Sequence, residues 1–396
     1  SESASRIAPI ADKDVIDLLS QLVAIKSTNP RDIPNPGPED AEYEIGQFVV
    51  GWARDLGLKV RVQEVLPYRS NVLATPEGND PPRRLLFEVH MGTVQAEGMT
   101  IEPFTPEVVG DRLYGRGACD AKGSLASMML AMRALKSSAE RQSASVTLAA
   151  VVDEEHKFRG VSAVIDGGIT AEAAIVGEPT ELDLVIAHKG CLRWRVATFG
   201  KSVHTSRADE GINAISKMAE VIQVLDGLNR KYRSRIHPLV GTPLPTVTTI
   251  DGGAGVNTVP DRCTINVDRH TLLGEDPGEV LGEIAAALED PRDREPDLKL
   301  EMKPPYPSDV PMEISHDEPA SKEIVSFLRD EFGIQVAPGL RELADTTDTT
   351  VRVGHMGPGA KMTRILPVLF GIEEWLRREA HQAIGVGVSA SGIARE

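Results

Sequence analysis

Three apolar runs, at residues 85–89, 145–152 and 173–176, stop abruptly at ionisable side chains: His90, then Asp153-Glu154-Glu155, then Glu178 just past Gly177. Runs this continuous suit strands covered on both faces, because a strand with one wet face alternates apolar and polar residues instead. Helical signals lie around them. Residues 14–24 and 41–56 carry apolar side chains at helical spacing, and 121–135 reads as a small-residue, methionine-rich helix with Asp120 just before it. Short strands are expected at 58–65 and 71–74. Strands alternating with helices predict an α/β domain built on a mostly parallel sheet flanked by helices.

The pattern changes near residue 187. Residues 191–198 (CLRWRVAT) alternate apolar and polar, as a strand with one wet face does. A helix at 211–228, strands at 246–250 and 262–269, a helix at 278–288 and a strand at 298–302 complete an antiparallel α+β unit. A helix at 322–332 then resumes the first style. The economical reading is a catalytic α/β domain over 1–186, an inserted α+β lid and dimerisation domain over 187–303, and the second part of the catalytic domain over 304–396.

Composition narrows the function. A net charge of −16 argues against nucleic acid, whose phosphates demand a basic face, and against an anionic membrane surface. Cys119, Cys191 and Cys263 are widely spaced and odd in number, so they read neither as a disulfide framework nor as a zinc knuckle. No apolar run approaches a membrane span and no signal pattern opens the chain, so a cytoplasmic protein is expected. A serine nucleophile lacks its Gly-x-Ser-x-Gly elbow. Cys119 is poorly placed as a thiolate, because the Asp120 carboxylate beside it raises the thiol pKa.

The ionisable strand ends carry the chemistry. In open α/β sheets ligands bind beyond the carboxyl ends of the strands. One imidazole and several carboxylates converging there suit zinc, manganese or cobalt. Glu154 and Glu155 divide the labour naturally, one holding metal and the other taking a proton from water. Any one of these acids alone is more often a solvated loop residue. Their wording, however, comes as an ordered set: YGRGACDAKGSLASMM (114–129), VVDEEH (151–156), VGEPTELDL (176–184) and GKSVHTSRADEGINAI (200–215).

That set resembles the metal-dependent exopeptidase and deacylase family, which includes acetylornithine deacetylase, succinyl-diaminopimelate desuccinylase, aminoacylases and glutamate carboxypeptidases. The resemblance runs from about residue 14 through nearly the whole chain. It implies the fold just described, with a lid that dimerises. It implies that Asp120 bridges two metals, that His90 and Glu178 complete one site, and that Glu155 serves the other. Glu154 is implied as general base, His204 as a lid histidine that stabilises the oxyanion in a neighbouring active site, and Asn257 as a lid residue near substrate.

Three departures stand out. Where the family has histidine, any residue, then aspartate, this chain has Gly92 in the third place, and loss of such a partner typically weakens metal binding about 10–100-fold. His270 replaces a substrate-binding arginine, which grips carboxylates bidentately as histidine does not. The last metal-binding histidine has three readings: Phe370 has replaced it, or His381 supplies it, or His355 does. The expected function is hydrolysis of a carbon–nitrogen bond in a small molecule by metal-activated water, with one or two divalent ions per subunit in a homodimer or higher homo-oligomer. The ordinary substrate is an N-acyl amino acid or small peptide. The departures raise two alternatives, an aminohydrolase acting on an activated aromatic amine and a non-catalytic relative that binds metal or ligand.

Overall fold

The computed structural model of the chain describes residues 10–313, apart from 32, 34–35, 77–82, 111, 138–143, 172, 180–186, 307 and 310. These residues form two compact units, one up to residue 179 and one from residue 187. The helix expected at 322–332 lies outside the described residues, as do Phe370, His381 and His355.

The first unit opens with α1 (Asp12–Ala24) and α2 (Tyr43–Asp55). Helix α1 buries Val15, Leu18, Leu19, Leu22 and Val23, the spacing of one helical face. Strands β1 (Leu58–Leu66) and β2 (Arg69–Pro76) follow as an antiparallel pair, the only pairing that so short a connection permits. Then come β3 (Arg83–His90), a small exposed hairpin of β4 (Glu107–Val109) and β5 (Arg112–Tyr114), α3 (Lys122–Ser137), β6 (Ala144–Val151), α4 (Arg159–Asp166) and β7 (Ala173–Val176).

The main sheet runs in the order β1-β2-β6-β3-β7. Strands β6, β3 and β7 are parallel, and the antiparallel hairpin joins at the β6 edge. Strand alternation explains why β6 reads as an unbroken apolar run. Val146, Leu148 and Ala150 enter the main core with α1, α2 and α3, whereas Ala149 and Val151 pack with Leu73 and with Val164 of α4 on the other face. Helix α3 is buried almost all round, which its alanines, serines and methionines allow. On β3, Phe87 and Val89 face the main core, so Glu88 and His90 point to the opposite side.

The second unit contains β8 (Ala187–His188), β9 (Gly190–Phe199), α5 (Ala214–Tyr232), β10 (Thr246–Gly252), β11 (Arg262–Thr271), α6 (Pro277–Arg294), β12 (Lys299–Met302), β13 (Ser308–Asp309) and β14 (Met312–Glu313). Its sheet, β10-β11-β9-β12, is antiparallel. Leu192, Trp194 and Val196 of β9 pack with Cys263, Ile265 and Val267 of β11 beneath the two helices. The opposite face is polar, where Arg193 meets Asp268 and Arg195 meets Asn266 and Tyr306. Strand β13 pairs with β9 and β14 with β8, so this unit continues past residue 303, where the sequence pattern had suggested a return to the first domain. Among the described residues no helix is long and apolar enough to cross a membrane.

Candidate metal centre

The three parallel strands deliver their C-terminal ends side by side. His90 is the last residue of β3 and lies opposite Val151, the last residue of β6; Glu88 lies opposite Val176, the last of β7. Backbone bonds continue the register beyond the strands: Met91 N–H donates to Val151 O (2.8 Å) and Gly177 N–H to Glu88 O (2.8 Å). The segments carrying His90, Glu154-Glu155 and Glu178 therefore leave the sheet together, with β3 in the middle.

Asp153 turns the β6 end. It adopts a left-handed conformation (φ 66°), held by the partners of its buried carboxylate: the buried Arg69 (2.7 Å) and Asn29 (3.2 Å), and the partly exposed Arg159. Asp120 arrives from the loop that precedes α3. The His90 ring is 1 % exposed, and its Nε2 lies 3.0 Å from Asp120 Oδ1, 3.6 Å from Glu178 Oε1 and 3.9 Å from Glu154 Oε2. Its Nδ1 lies 2.8 Å from the Gly92 carbonyl oxygen. Because that carbonyl only accepts, Nδ1 carries a proton and donates, and Nε2 faces the carboxylates.

Two overlapping sets have donor atoms within 4.8 Å of one another: His90 with Asp120 and Glu178, and His90 with Glu154 and Glu155. Electrostatics show what this arrangement lacks. Burial first, then the charges of Glu154 and Asp120, push Glu155 up to about 7 and Glu178 up to about 8, with the His90 charge opposing. Burial opposes a charged His90, but the hydrogen bond to Asp120 and the charges of Glu154, Glu178 and Asp120 carry it up to about 10. The acids call for positive charge, and the imidazole is recruited to supply it. An imidazole nitrogen and four carboxylates within a few ångströms form a donor set that fits a divalent cation.

Glu88 was not singled out by sequence, because it sits inside an apolar run. It is buried on the same strand face as His90, and burial pushes its carboxyl up to about 7. Its only sequence signal is a charge inside a strand covered on both faces. Burial and then Asp120 push the Cys119 thiol up to about 11, so it is no thiolate nucleophile. None of the three cysteines is in a disulfide.

The lid candidates lie in the second unit. His204 and Asn257 are neighbours there: His204 bridges Thr258, Thr205 N–H donates to Asn257 O (3.0 Å), and both side chains are exposed. His204 Nδ1 accepts from Ser206 N–H (3.2 Å), leaving Nε2 outward. His270 lies at the far end of β11, exposed, with Nε2 3.4 Å from Asp268 Oδ1. The His204 end of the sheet adjoins Arg262 and Phe199, so His270 is separated from it by eight residues of strand, roughly 27 Å.

Comparison with known proteins agrees with this architecture. The sequence pattern of the peptidase family M20/M25/M40 matches residues 86–363. An acetylornithine deacetylase from Pectobacterium carotovorum is 30 % identical over 300 residues, 74 % of this chain and 77 % of that protein. The fold is that of the dipeptidase Dug1p from Saccharomyces cerevisiae (TM-score 0.71, 11 % identity, covering 94 % of this chain and 99 % of that one). It is also that of the YXEP protein of Bacillus subtilis, a dinuclear metal-binding M20 peptidase (TM-score 0.58, 14 % identity, covering 93 % and 98 %). The chain belongs to the peptidase family M20/M25/M40, and it is a metal-dependent hydrolase acting on carbon–nitrogen bonds.

Proposed function

We propose that this protein hydrolyses the amide bond of an N-acyl amino acid or a small peptide-like substrate. The observation that carries this reading is the convergence of one buried imidazole and four carboxylates at three parallel strand ends, an acidic cluster that a cation would complete. In this reading His90, Asp120 and Glu178 hold one divalent ion of zinc, manganese or cobalt, and Asp120 with Glu155 holds a second. Such ions polarise the carbonyl under attack and acidify water. The relatives support the substrate class, since they include an acetylornithine deacetylase and a dipeptidase.

Glu154 moves the proton. Its carboxylate lies 3.9 Å from His90 Nε2 and keeps 29 % of the side chain exposed, so it borders both the cluster and solvent. It accepts a proton as the water oxygen bonds to the carbonyl carbon, then returns it to the nitrogen as the C–N bond breaks. His204 donates to the oxyanion, Asn257 lies beside it near the substrate, and His270 faces substrate. These two sets stand at opposite ends of one sheet, too far apart for one small molecule to touch both. Both sets act only if two copies of the chain share their sites, which supports a homo-oligomer formed through the second unit as lid.

His270 also favours a second substrate class. Lacking the planar fork of arginine, it grips a substrate carboxylate less firmly, so a non-peptide amine on an activated ring is the competing substrate. The same water attack on a ring carbon would then release ammonia.

The test is Glu154→Gln in metal-loaded protein, assayed on N-acyl amino acids, dipeptides and activated aromatic amines. Turnover should fall about 10²–10⁴-fold while bound metal stays constant. Undiminished turnover would remove Glu154 from the mechanism. Turnover confined to aromatic amines would overturn the amide reading in favour of the aminohydrolase.

A further inference from the structure

Gly92 stands where the resemblance expects an aspartate, and its backbone does not explain the glycine. Gly92 is absent from the glycines with positive φ, so any L-residue fits its conformation. Space explains it instead. A Cβ at residue 92 would lie 2.5 Å from Glu42 Oε1 and 3.3 Å from Glu42 Cδ. The place of the missing side chain is filled by a carboxylate from another part of the chain.

Glu42 is fixed there. It is fully buried at the start of α2, Arg69 Nε donates to its Oε2, and Asp153 N–H donates to its Oε1 (2.8 Å). The oxygen that abuts Gly92 is thus the one that holds Asp153. Gly92 in turn presents its carbonyl to His90 Nδ1, and Asp153 turns the chain into Glu154 and Glu155. One carboxylate oxygen braces both the loop that orients the histidine and the turn that carries the two glutamates. Charge is matched around it, with Glu42 and Asp153 facing Arg69 and Arg159. Glu42 therefore acts by position more than by adding negative charge to the cluster.

We propose that Glu42 is a positioning residue of the metal centre, standing in for the side chain absent at Gly92, so that the two positions form one exchangeable pair. This inference rests on the metal-centre reading above. It assigns a role to a residue outside the proposed ligand set. It also explains how the chain keeps a metal centre without the usual aspartate: the carboxylate comes from α2, and the backbone carbonyl takes over the hydrogen bond to the ring.

The test uses full-length apoprotein, with zinc affinity measured by chelator competition and ligand geometry by the visible absorption of bound cobalt. Glu42→Ala should weaken zinc about 10–100-fold and alter the cobalt spectrum. Gly92→Asp alone should weaken it at least as much, because the new side chain meets Glu42. The double variant Glu42→Ala/Gly92→Asp should regain at least about tenfold over Glu42→Ala, the non-additivity expected of two positions that share one place. Glu42→Gln keeps the volume and the acceptor for Asp153 N–H, so it stays measurable if Glu42→Ala fails to fold; its zinc affinity should fall between wild type and Glu42→Ala. A purely structural Glu42 would lower the melting temperature yet leave zinc affinity and the cobalt spectrum of the folded variants unchanged, and that result overturns the proposal, as does strict additivity in the double variant. Failure of the wild type itself to bind zinc or cobalt would refute the metal-centre reading and, with it, this inference.

Discussion

Two carboxylate clusters meet at the Asp153–Glu154 peptide bond, and they are built on opposite principles. On one side, Asp153 and Glu42 face Arg69 and Arg159, two negative charges against two positive ones. On the other side, Glu154, Glu155, Asp120 and Glu178 crowd around the single imidazole of His90. The proton affinities of Asp153, on one side, and of Glu155 and Glu178, on the other, diverge accordingly. Burial opposes an ionised Asp153, but the hydrogen bond from Arg159 and the charges of Arg69 and Arg159 hold its carboxyl below the usual range. Partial burial, then like charges around them, push Glu155 up to about 7 and Glu178 up to about 8. The balanced cluster fixes backbone, and the unbalanced one keeps negative charge in reserve for a cation.

The largest effect should come from unbalancing the first cluster. Arg69 is 2 % exposed and contacts both acids, so Arg69→Met leaves two buried carboxylates with one partly exposed guanidinium. A loss of about 3–5 kcal/mol is expected in urea unfolding of the apoprotein. A loss below about 1 kcal/mol would mean that Glu42 and Asp153 are not held as charges, and the contrast between the clusters would collapse.

Sequence exposed these clusters unequally, and the reason is range. His90, Glu154, Glu155 and Glu178 were legible because each follows an apolar strand, and parallel strands align their ends. Asp120 was legible just ahead of a helix. Glu42 was not, for in sequence it looks no different from its exposed neighbour Glu44; its partners lie 27 and 111 residues away. Helix α4 also escaped notice, being eight residues long and entered through a left-handed Phe158. The β4–β5 hairpin has three residues per strand and little burial, so no period could develop. In the second unit, β9 was plain because Leu192, Trp194 and Val196 alternate with polar residues, whereas the distance between His204 and His270 depends on strand pairing that spacing does not reveal.

The second unit repeats the balanced design with Arg269 and Glu275, which gives an intermediate test. Arg269 is fully buried, donates to both oxygens of Glu275 (3.0 and 2.8 Å) and lies over the Tyr232 ring at 4.8 Å, while Arg235 reaches Glu275 at 3.4 Å. Burial opposes an ionised Glu275, but the Arg269 hydrogen bonds, the Leu272 N–H and the nearby guanidinium charges hold its carboxyl below the ordinary value of 4.5. A depressed carboxyl stabilises the fold above its unfolded pKa, and that contribution fades as pH falls through the lower folded value. Glu275→Gln should therefore cost about 1.5–3 kcal/mol at pH 7, and its deficit relative to wild type should narrow as pH drops below 4.5. A pH-independent deficit in urea titrations at pH 7 and pH 3 would show that shape, not charge, holds this corner.

The smallest expected effect has the opposite sign. In the unbalanced cluster, replacing an acid by its neutral amide should help the apoprotein, because burial, and then the charges of Glu154, Asp120 and Glu88, disfavour an ionised Glu178 more than His90 favours it. It keeps 38 % of its side chain exposed, so solvent screening limits the gain from Glu178→Gln to about 1 kcal/mol or less. The variant should melt slightly higher than wild type without metal, and zinc should stabilise it less than it stabilises wild type, since the neutral amide is a poorer ligand. Melting curves at a fixed pH, with and without zinc, separate the two effects. If Glu178→Gln lowers apoprotein stability as Arg69→Met does, Glu178 has a compensating cation partner within the fold, and the division between a balanced and an unbalanced cluster fails at that residue. If the order of the two melting temperatures inverts when zinc is added, the negative charge at Glu178 is a cost to the fold that only a bound cation offsets.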